Sequence, residues 1–138
     1  APNDVPAVAA ELAAGGDGKE LAARTFVAPT EDKDMARAVG RFALAAYLTV
    51  PVYRAFHEWL GRTELMAGMQ EAWAAGDRKG ALAAIPDELV DDLVVHGHPA
   101  ACRERIQEYV AHGITTLVLA VLLVGVDAAT AAKELAPQ

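Results

Sequence analysis

The sequence has one cysteine, few aromatic residues (two Trp, three Tyr and three Phe) and an apolar content of 54%. One cysteine excludes an internal disulfide, so the fold does not depend on an oxidising compartment and we expect a cytoplasmic location. The longest apolar run, residues 117–126, is about half the ~20 residues that a membrane-spanning helix needs. The sequence therefore predicts a globular domain whose core is filled mainly by alanine and aliphatic side chains, with no membrane span.

Basic residues are also in the minority, with 12 Lys and Arg against 19 Asp and Glu and a net charge of −7. Nucleic-acid affinity rests on neutralising phosphates, so a nucleic-acid partner is not expected. The sequence contains no P-loop, GxGxxG, CxxC or Ser-His-Asp arrangement, which argues against phosphoryl transfer, Rossmann-type dinucleotide binding and nucleophilic hydrolysis. The chain opens with APNDVPAV, without an initiator Met or a signal peptide, and we expect a fragment or a processed product.

Two segments have the composition of buried parallel strands. Residues 21–28 and 114–124 are near-continuous apolar runs, the first ended by Pro29, as expected for strands covered on both faces in an α/β fold. Two strands cannot form such a sheet by themselves. The sequence therefore predicts either more sheet from another chain or a piece of a larger α/β domain.

Helical patterns fill the rest of the chain. Thr30 is the expected cap of a helix that runs to Pro51, with an inward face formed by Met35, Val39, Phe42 and Ala46. Shorter helices are expected over residues 52–60, 64–75, 86–94, 99–112 and 127–136, and a turn over residues 96–99. This alternation of helices with two apolar strands supports the α/β class.

Three stretches resemble the luciferase-like monooxygenase superfamily, and within it the F420-dependent oxidoreductases. IPDELVDDLVVHGHPAACRERIQEYVAHGITTLVLAVL, residues 85–122, is similar to the C-terminal signature of that family. AARTFVAPTEDKD, residues 22–34, resembles its seventh strand and the following turn, and YLTVPVYRAFHEWLG, residues 47–61, resembles its helical insertion. One departure from the family pattern is His98, which stands where the family tends to place Ser or Thr before the helix-opening proline.

The resemblance implies a (β/α)8 barrel of which this chain is the C-terminal portion. A barrel of this type takes about 250 residues, so 138 residues can hold about two strands and several helices. Residues 1–138 are thus expected to be part of a single barrel domain, with a helical insertion at about residues 47–84.

The resemblance also implies an oxidoreductase that uses coenzyme F420, or alternatively FMN, on a small organic substrate. Because cofactor contacts in such barrels come from several strands, we expect this chain to be inactive alone and to need the remaining barrel strands or a homo-oligomeric partner. The alternative is a non-catalytic relative or interaction module that pairs through exposed sheet edges.

By resemblance, Tyr47, Tyr53 and His57 lie on the broken helix that covers the barrel mouth, and they are the candidates for a substrate pocket. The alternative interpretation is that these three side chains only pack an amphipathic segment under a loop. Arg24 is unusual inside a strand, because a buried guanidinium needs a partner, and it is a weak candidate for binding an anionic cofactor group. A carboxylate on a neighbouring element would satisfy it equally well.

Cys102 falls on the apolar face of its helix and is expected to be a buried small hydrophobe rather than a reactive thiol. His96 and His98 are two residues apart, but a metal site needs three or four converging ligands and no further ligand shares their spacing. The sequence therefore predicts no metal site, and any redox chemistry must come from a bound cofactor.

Overall fold

A computed structural model of the chain describes residues 1–16 and 18–137. The chain forms two compact units, the first consisting of Ala1–Ala36 and residues 93–137 and the second of Arg37–Asp92. Within the described ranges, no helix is both long and apolar enough to span a bilayer. After a 3-10 turn at Pro2–Asp4, the elements are α1 (Val5–Ala14), β1 (Ala22–Ala28), α2 (Lys33–Leu48), α3 (Pro51–Trp59), α4 (Thr63–Ala74), α5 (Arg78–Ala83), α6 (Asp87–Leu93), β2 (Val94–His96), α7 (Pro99–Ala111), β3 (Thr116–Val121) and α8 (Ala128–Leu135).

The first unit is built on a three-stranded parallel sheet with the strand order β2-β1-β3. β1 is central and pairs with β3 over six residues, from Ala22 opposite Thr116 to Val27 opposite Val121. On its other side it pairs with β2 over three residues, from Phe26 opposite Val94 to Ala28 opposite His96. The α/β class is therefore confirmed, and in the described part of the chain no further strand pairs with β2 or β3.

One face of this sheet carries the core of the first unit. Side chains alternate along a strand, so Thr25 and Val27 of β1 point to the same side as Val95 of β2. The Thr25 hydroxyl lies 3.4 Å from the hydroxyl of Tyr109 on α7. The buried apolar cluster on this side contains residues from α1, the sheet, α7 and α8, namely Val5, Val27, Val95, Cys102, Tyr109, Ile114 and Leu135.

The opposite face of the sheet is not fully covered. Arg24 is exposed and lies opposite Val118, which is 51% exposed. The expectation that both predicted strands are covered on both faces is thus wrong for β3, and the expectation of a buried guanidinium at Arg24 is wrong as well. The physical reason is that the apolar cluster with Val27 and Tyr109 lies on the other face, while on this face β3 carries only exposed or half-buried residues.

β2 corrects the expected number of strands from two to three. The sequence indicated a helix through residue 94 and a turn from residue 96, whereas Val94–His96 is extended and hydrogen-bonded to β1. α6 ends at Leu93, and the strand follows without a linker. Val94 and Val95 are both buried, at 2% and 4% exposure. Their β-branched side chains favour this extended, buried segment.

The second unit is helical, and its buried side chains come from each of α2, α4, α5 and α6. Met66 and Met69 of α4 are fully buried, as is Ile85 before α6. Charged groups link the helices: Arg41 donates from Nε to the backbone oxygen of Ile85 at 2.9 Å, and Arg37 binds the carboxylate of Asp91 on α6. The Nε2 of Gln70 donates to the Leu48 carbonyl oxygen at 2.6 Å, which satisfies one of the terminal carbonyls of α2.

The buried face of α2 differs from the expected one. Phe42 is 74% exposed and Met35 46% exposed, whereas Leu44 and Leu48 are buried. The stripe with Met35 and Phe42 and the stripe with Leu44 and Leu48 are both apolar in this alanine-rich helix. The 3.6-residue period therefore does not show which of them is buried. The cap differs too, because the Asp32 carboxylate accepts from the Met35 N–H at 3.0 Å and the helix begins at Lys33, not behind Thr30.

Candidate functional site at the carboxyl edge of the sheet

The carboxyl ends of the three parallel strands lie side by side at one end of the sheet, which is called the carboxyl edge below. Ala28 lies opposite His96 at the end of β1 and β2, and Val27 lies opposite Val121 at the end of β3. In parallel α/β folds, ligands bind outside the carboxyl ends of the strands, where the connecting loops supply the functional groups. The residues that follow Ala28 and His96 are therefore the candidate site of the first unit.

The segment after β1 forms a tight hydrogen-bonded turn. The Thr30 N–H donates to the Ala28 carbonyl oxygen at 2.8 Å, and the Thr30 hydroxyl oxygen accepts from the Asp32 N–H at 3.2 Å. This turn holds Thr30 two residues beyond the strand. The hydroxyl oxygen is thus used as an acceptor, and its O–H group can in addition donate one hydrogen bond.

The segment after β2 places two imidazoles around a glycine. His96 is half-buried at the strand end, and Gly97 follows with φ +126°, a conformation that side-chain-bearing residues rarely adopt. His98 then caps α7, since its Nδ1 accepts from the Ala100 N–H at 3.2 Å. An accepting Nδ1 corresponds to the tautomer in which Nε2 carries the proton.

Cys102 lies behind this loop in the core. Its thiol donates to the Gly97 carbonyl oxygen at 3.5 Å, and the residue is fully buried. Burial raises the pKa of the Cys102 thiol to about 11, against a smaller lowering by Arg103. The expectation of a buried cysteine is confirmed, and the raised pKa disfavours its thiolate.

Tyr47, Tyr53 and His57 belong to the second unit, at the junction of α2 and α3. The rings of Tyr47 and Tyr53 are in tilted contact, with 5.2 Å between their centroids and 53° between their planes. His57 lies one helical turn after Tyr53, and its ring meets that of Phe56 edge-on at 5.6 Å. The structure thus brings the three candidates to one helix junction, and their role in a substrate pocket stays a prediction.

Arg24 lies away from the carboxyl edge. It is four residues before Ala28 in β1, which corresponds to roughly 13 Å along a strand. Its guanidinium lies over the ring of Phe26, 5.4 Å from the centroid. Its role toward a cofactor stays a prediction, and the structure places it in the amino-terminal half of the strand.

Within residues 1–16 and 18–137, no three His, Cys, Asp or Glu side chains converge as metal ligands would. The sequence analysis considered His96 only as one of two possible metal ligands, together with His98. It did not predict that His96 lies beside Ala28. Two consecutive valines before His96-Gly97 are the signal that could have revealed the strand, since β-branched residues ended by glycine are typical of short buried strands.

Comparison with known proteins gives one significant match. The sequence matches the luciferase-like monooxygenase family over residues 1–116. The chain belongs to this family. The match runs from the first residue to the start of β3, so it includes both loops of the candidate site in this luciferase-like chain. No significant match was found among curated proteins or among solved structures.

Proposed function

We propose that this luciferase-like chain forms part of an oxidoreductase in which F420, or alternatively FMN, transfers a hydride or supports oxygen chemistry on a small organic substrate in the cytoplasm. The observation that carries the proposal is the family match across residues 1–116, which spans the carboxyl edge where Ala28 lies opposite His96. In this proposal, Thr30 and His96 are the residues of the first unit that contact a bound cofactor or substrate. Tyr47, Tyr53 and His57 are, separately, the substrate-pocket residues proposed for the second unit.

The residues at the carboxyl edge suit the ring system of a flavin-type cofactor but not its phosphate groups. Phe26 is half-buried near the end of β1 and is apolar, and the half-buried Thr30 and His96 carry polar groups at the ends of the strands. The phosphate groups of F420 or FMN need several donors or cations. Lys33 is the cation nearest to Thr30 in sequence, but Glu31, Asp32 and Asp34 surround it with negative charge. Further elements must therefore supply the phosphate site.

The number of strands also indicates that further elements are needed to complete the site. A (β/α)8 barrel has eight parallel strands, and the sheet of the first unit has three. Among the described residues, β2 and β3 pair with no strand other than β1. We therefore propose that this chain is the C-terminal portion of the barrel, completed by further strands, and that it has no redox activity alone.

The second candidate function is a non-catalytic interaction module, as in a truncated relative. The exposed Val118 and the unprotected β3 edge favour it, because such surfaces are normally covered. This candidate predicts association of the chain without any cofactor binding.

Fluorescence titration with F420 and with FMN distinguishes these functions. The 138-residue chain should show no saturable binding, and the chain extended by its upstream coding sequence should bind one of the two cofactors. Saturable binding by the chain alone would refute the need for further strands. Absence of binding by the extended form would refute the oxidoreductase proposal.

Histidine variants of the extended form test the site itself. His96→Leu should weaken cofactor or substrate binding, because it removes a polar group from the carboxyl edge. His112→Leu is the matched control, since His112 is an exposed histidine that follows the other end of α7. Equal effects of the two substitutions would argue against a site at His96.

A further inference from the structure

The two ends of α7 each carry a histidine whose ring contacts the helix backbone. At the start of the helix, the exposed His98 accepts at Nδ1 from the Ala100 N–H at 3.2 Å. At its end, the exposed His112 has Nδ1 2.6 Å from the Glu108 carbonyl oxygen, which can only accept. The same ring nitrogen thus faces a donor in His98 and an acceptor in His112.

Protonation has opposite consequences at these two positions. An imidazolium carries a proton on both ring nitrogens and accepts no hydrogen bond, so protonated His98 cannot hold the Ala100 N–H. Its charge then also lies at the positive end of the helix dipole, which is unfavourable. Protonated His112 still donates to the Glu108 carbonyl oxygen, and its charge lies at the favourable end of the dipole. Acid therefore weakens the start of α7 through His98 without weakening its end through His112.

The first turn of α7 is tied to the loop after β2. The Cys102 N–H donates to the His98 carbonyl oxygen at 3.0 Å, and the Cys102 thiol donates to the Gly97 carbonyl oxygen at 3.5 Å. Because glycine has wide conformational freedom, such contacts are needed to hold Gly97 at φ +126°. His96 directly precedes Gly97 and lies opposite Ala28 at the carboxyl edge. A loosened first turn therefore weakens contacts that position the His96–Gly97 segment.

Several titratable groups belong to the elements that pack against α7, which are the 3-10 turn, β2, β3 and α8. β3 has no titratable side chain, and Arg103 of α7 donates to the Glu134 carbonyl oxygen of α8. The charged or titratable side chains on the remaining elements and at this end of α7 are Asp4, His96, Cys102, Arg103, Glu104, Lys133 and Glu134. Among these side chains, the imidazole of His96 shares the ordinary titration range of His98, so the experiment must separate these two histidines.

We propose that His98 is a pH-sensitive cap, whose neutral imidazole holds the first turn of α7 and the His96–Gly97 segment in place and whose protonation releases both. The carboxyl edge is then ordered at neutral pH and loosened below about pH 6, where imidazoles in general become protonated. A serine or threonine cap would not give this response, because a hydroxyl accepts at either pH. The inference goes beyond the proposed function and does not depend on which molecule binds at the carboxyl edge.

Amide exchange of the 138-residue chain, measured by NMR at about pH 7.5 and about pH 5, tests the cap. After correction for the intrinsic exchange rate, the protection of the Ala100 N–H should fall by about fivefold at the lower pH, the factor expected for loss of a helix cap. The His112 N–H, which donates to the Glu108 carbonyl oxygen at 3.0 Å, is the internal reference and should keep its protection. Equal protection of Ala100 at both pH values would overturn the proposal.

Capping variants identify the group that responds. In His98→Ser the acceptor remains but does not titrate, so the protection of Ala100 should be the same at both pH values. His98→Asn supplies another favoured cap and should behave in the same way. His112→Ser is the matched control and should keep the wild-type response of Ala100. A response that persists in both His98 variants, or one that is lost in His112→Ser, would show that His98 is not the sensor.

The Gly97 N–H resonance shows whether the response reaches the carboxyl edge. Its chemical shift should change between the two pH values in the wild type, and His98→Ser, which leaves His96 in place, should remove most of this change. An undiminished change in His98→Ser would assign it to His96 and would overturn the link between cap and loop. Because these measurements use no cofactor, their failure is distinguishable from failure of the proposed redox function.

Discussion

Arg62 donates from Nε to a carboxylate oxygen of Asp92 at 3.0 Å, and the arginine is only 6% exposed. The pair joins the residue before α4 to the last turn of α6 within the helical unit. A nearly buried guanidinium is stable in the folded state only while its charge is compensated. The pair therefore fixes the position of α4 relative to α6.

We expect Asp92→Ala to lower the free energy of unfolding by about 2 kcal/mol, measured by urea denaturation at neutral pH. This value is below the 3–5 kcal/mol typical of a fully buried pair, because the Asp92 side chain is 33% exposed. Glu58→Ala, which breaks the exposed pair of Arg54 and Glu58 on α3, should cost at most about 0.5 kcal/mol. Equal losses would show that burial of Arg62 is irrelevant.

The cap of α7 gives a second prediction. His98→Ala removes the acceptor for the Ala100 N–H and should destabilise the protein by about 1 kcal/mol. His98→Ser restores an acceptor and should recover most of this loss, because serine is a favoured cap. Thermal unfolding of the three proteins checks this. If the serine variant is as unstable as the alanine variant, His98 acts through packing instead.

Cys102 gives a pH dependence whose sign follows from its raised pKa. The unfolded thiol ionises near its ordinary value of 9.0 and the folded thiol at about 11. Between these values the unfolded state holds fewer protons, so stability falls as pH rises, by about 2–3 kcal/mol in total. In Cys102→Ala this contribution is absent. The difference in unfolding free energy between wild type and Cys102→Ala should therefore shrink from pH 8 to pH 11, whereas a constant difference would contradict the raised pKa.

Two apolar residues of α2 should respond very differently to truncation. Leu48→Ala removes a fully buried side chain and should lower stability by about 3 kcal/mol. Phe42→Ala removes a larger side chain that is 74% exposed and should change stability by at most about 0.5 kcal/mol. Urea denaturation of both variants measures the effect. A large loss in Phe42→Ala would show that Phe42 is covered in solution.

The sequence predicted the elements that local composition determines. β1 and β3 lie within the predicted runs, because long apolar segments rich in β-branched residues and ended by proline or preceded by glycine have few alternatives. The ends of α3, α4 and α7 agree with the predicted helices to within one or two residues, since Pro51, Gly76 and Pro99 punctuate them.

The sequence did not predict features that depend on partners distant along the chain. Val94–His96 becomes a strand through pairing with Phe26–Ala28, and its valine signal is weak because it directly continues the apolar pattern of α6. The buried stripe of α2 was misassigned because alanine and other apolar residues occupy both stripes. The candidate site shares this limit, since the proximity of Ala28 and His96 exists only once β2 is paired.

The insertion of a helical unit between β1 and β2 affects how the protein folds. The Leu21 N–H reaches the hydroxyl of Thr115 across 94 positions of sequence, so the sheet brings together segments that are remote along the chain. Closing so large a loop before any contact forms is entropically unfavourable, whereas the helices of Arg37–Asp92 form through local contacts. Early folding of the inserted helices shortens the effective loop, so the sheet with its carboxyl edge is expected to assemble last.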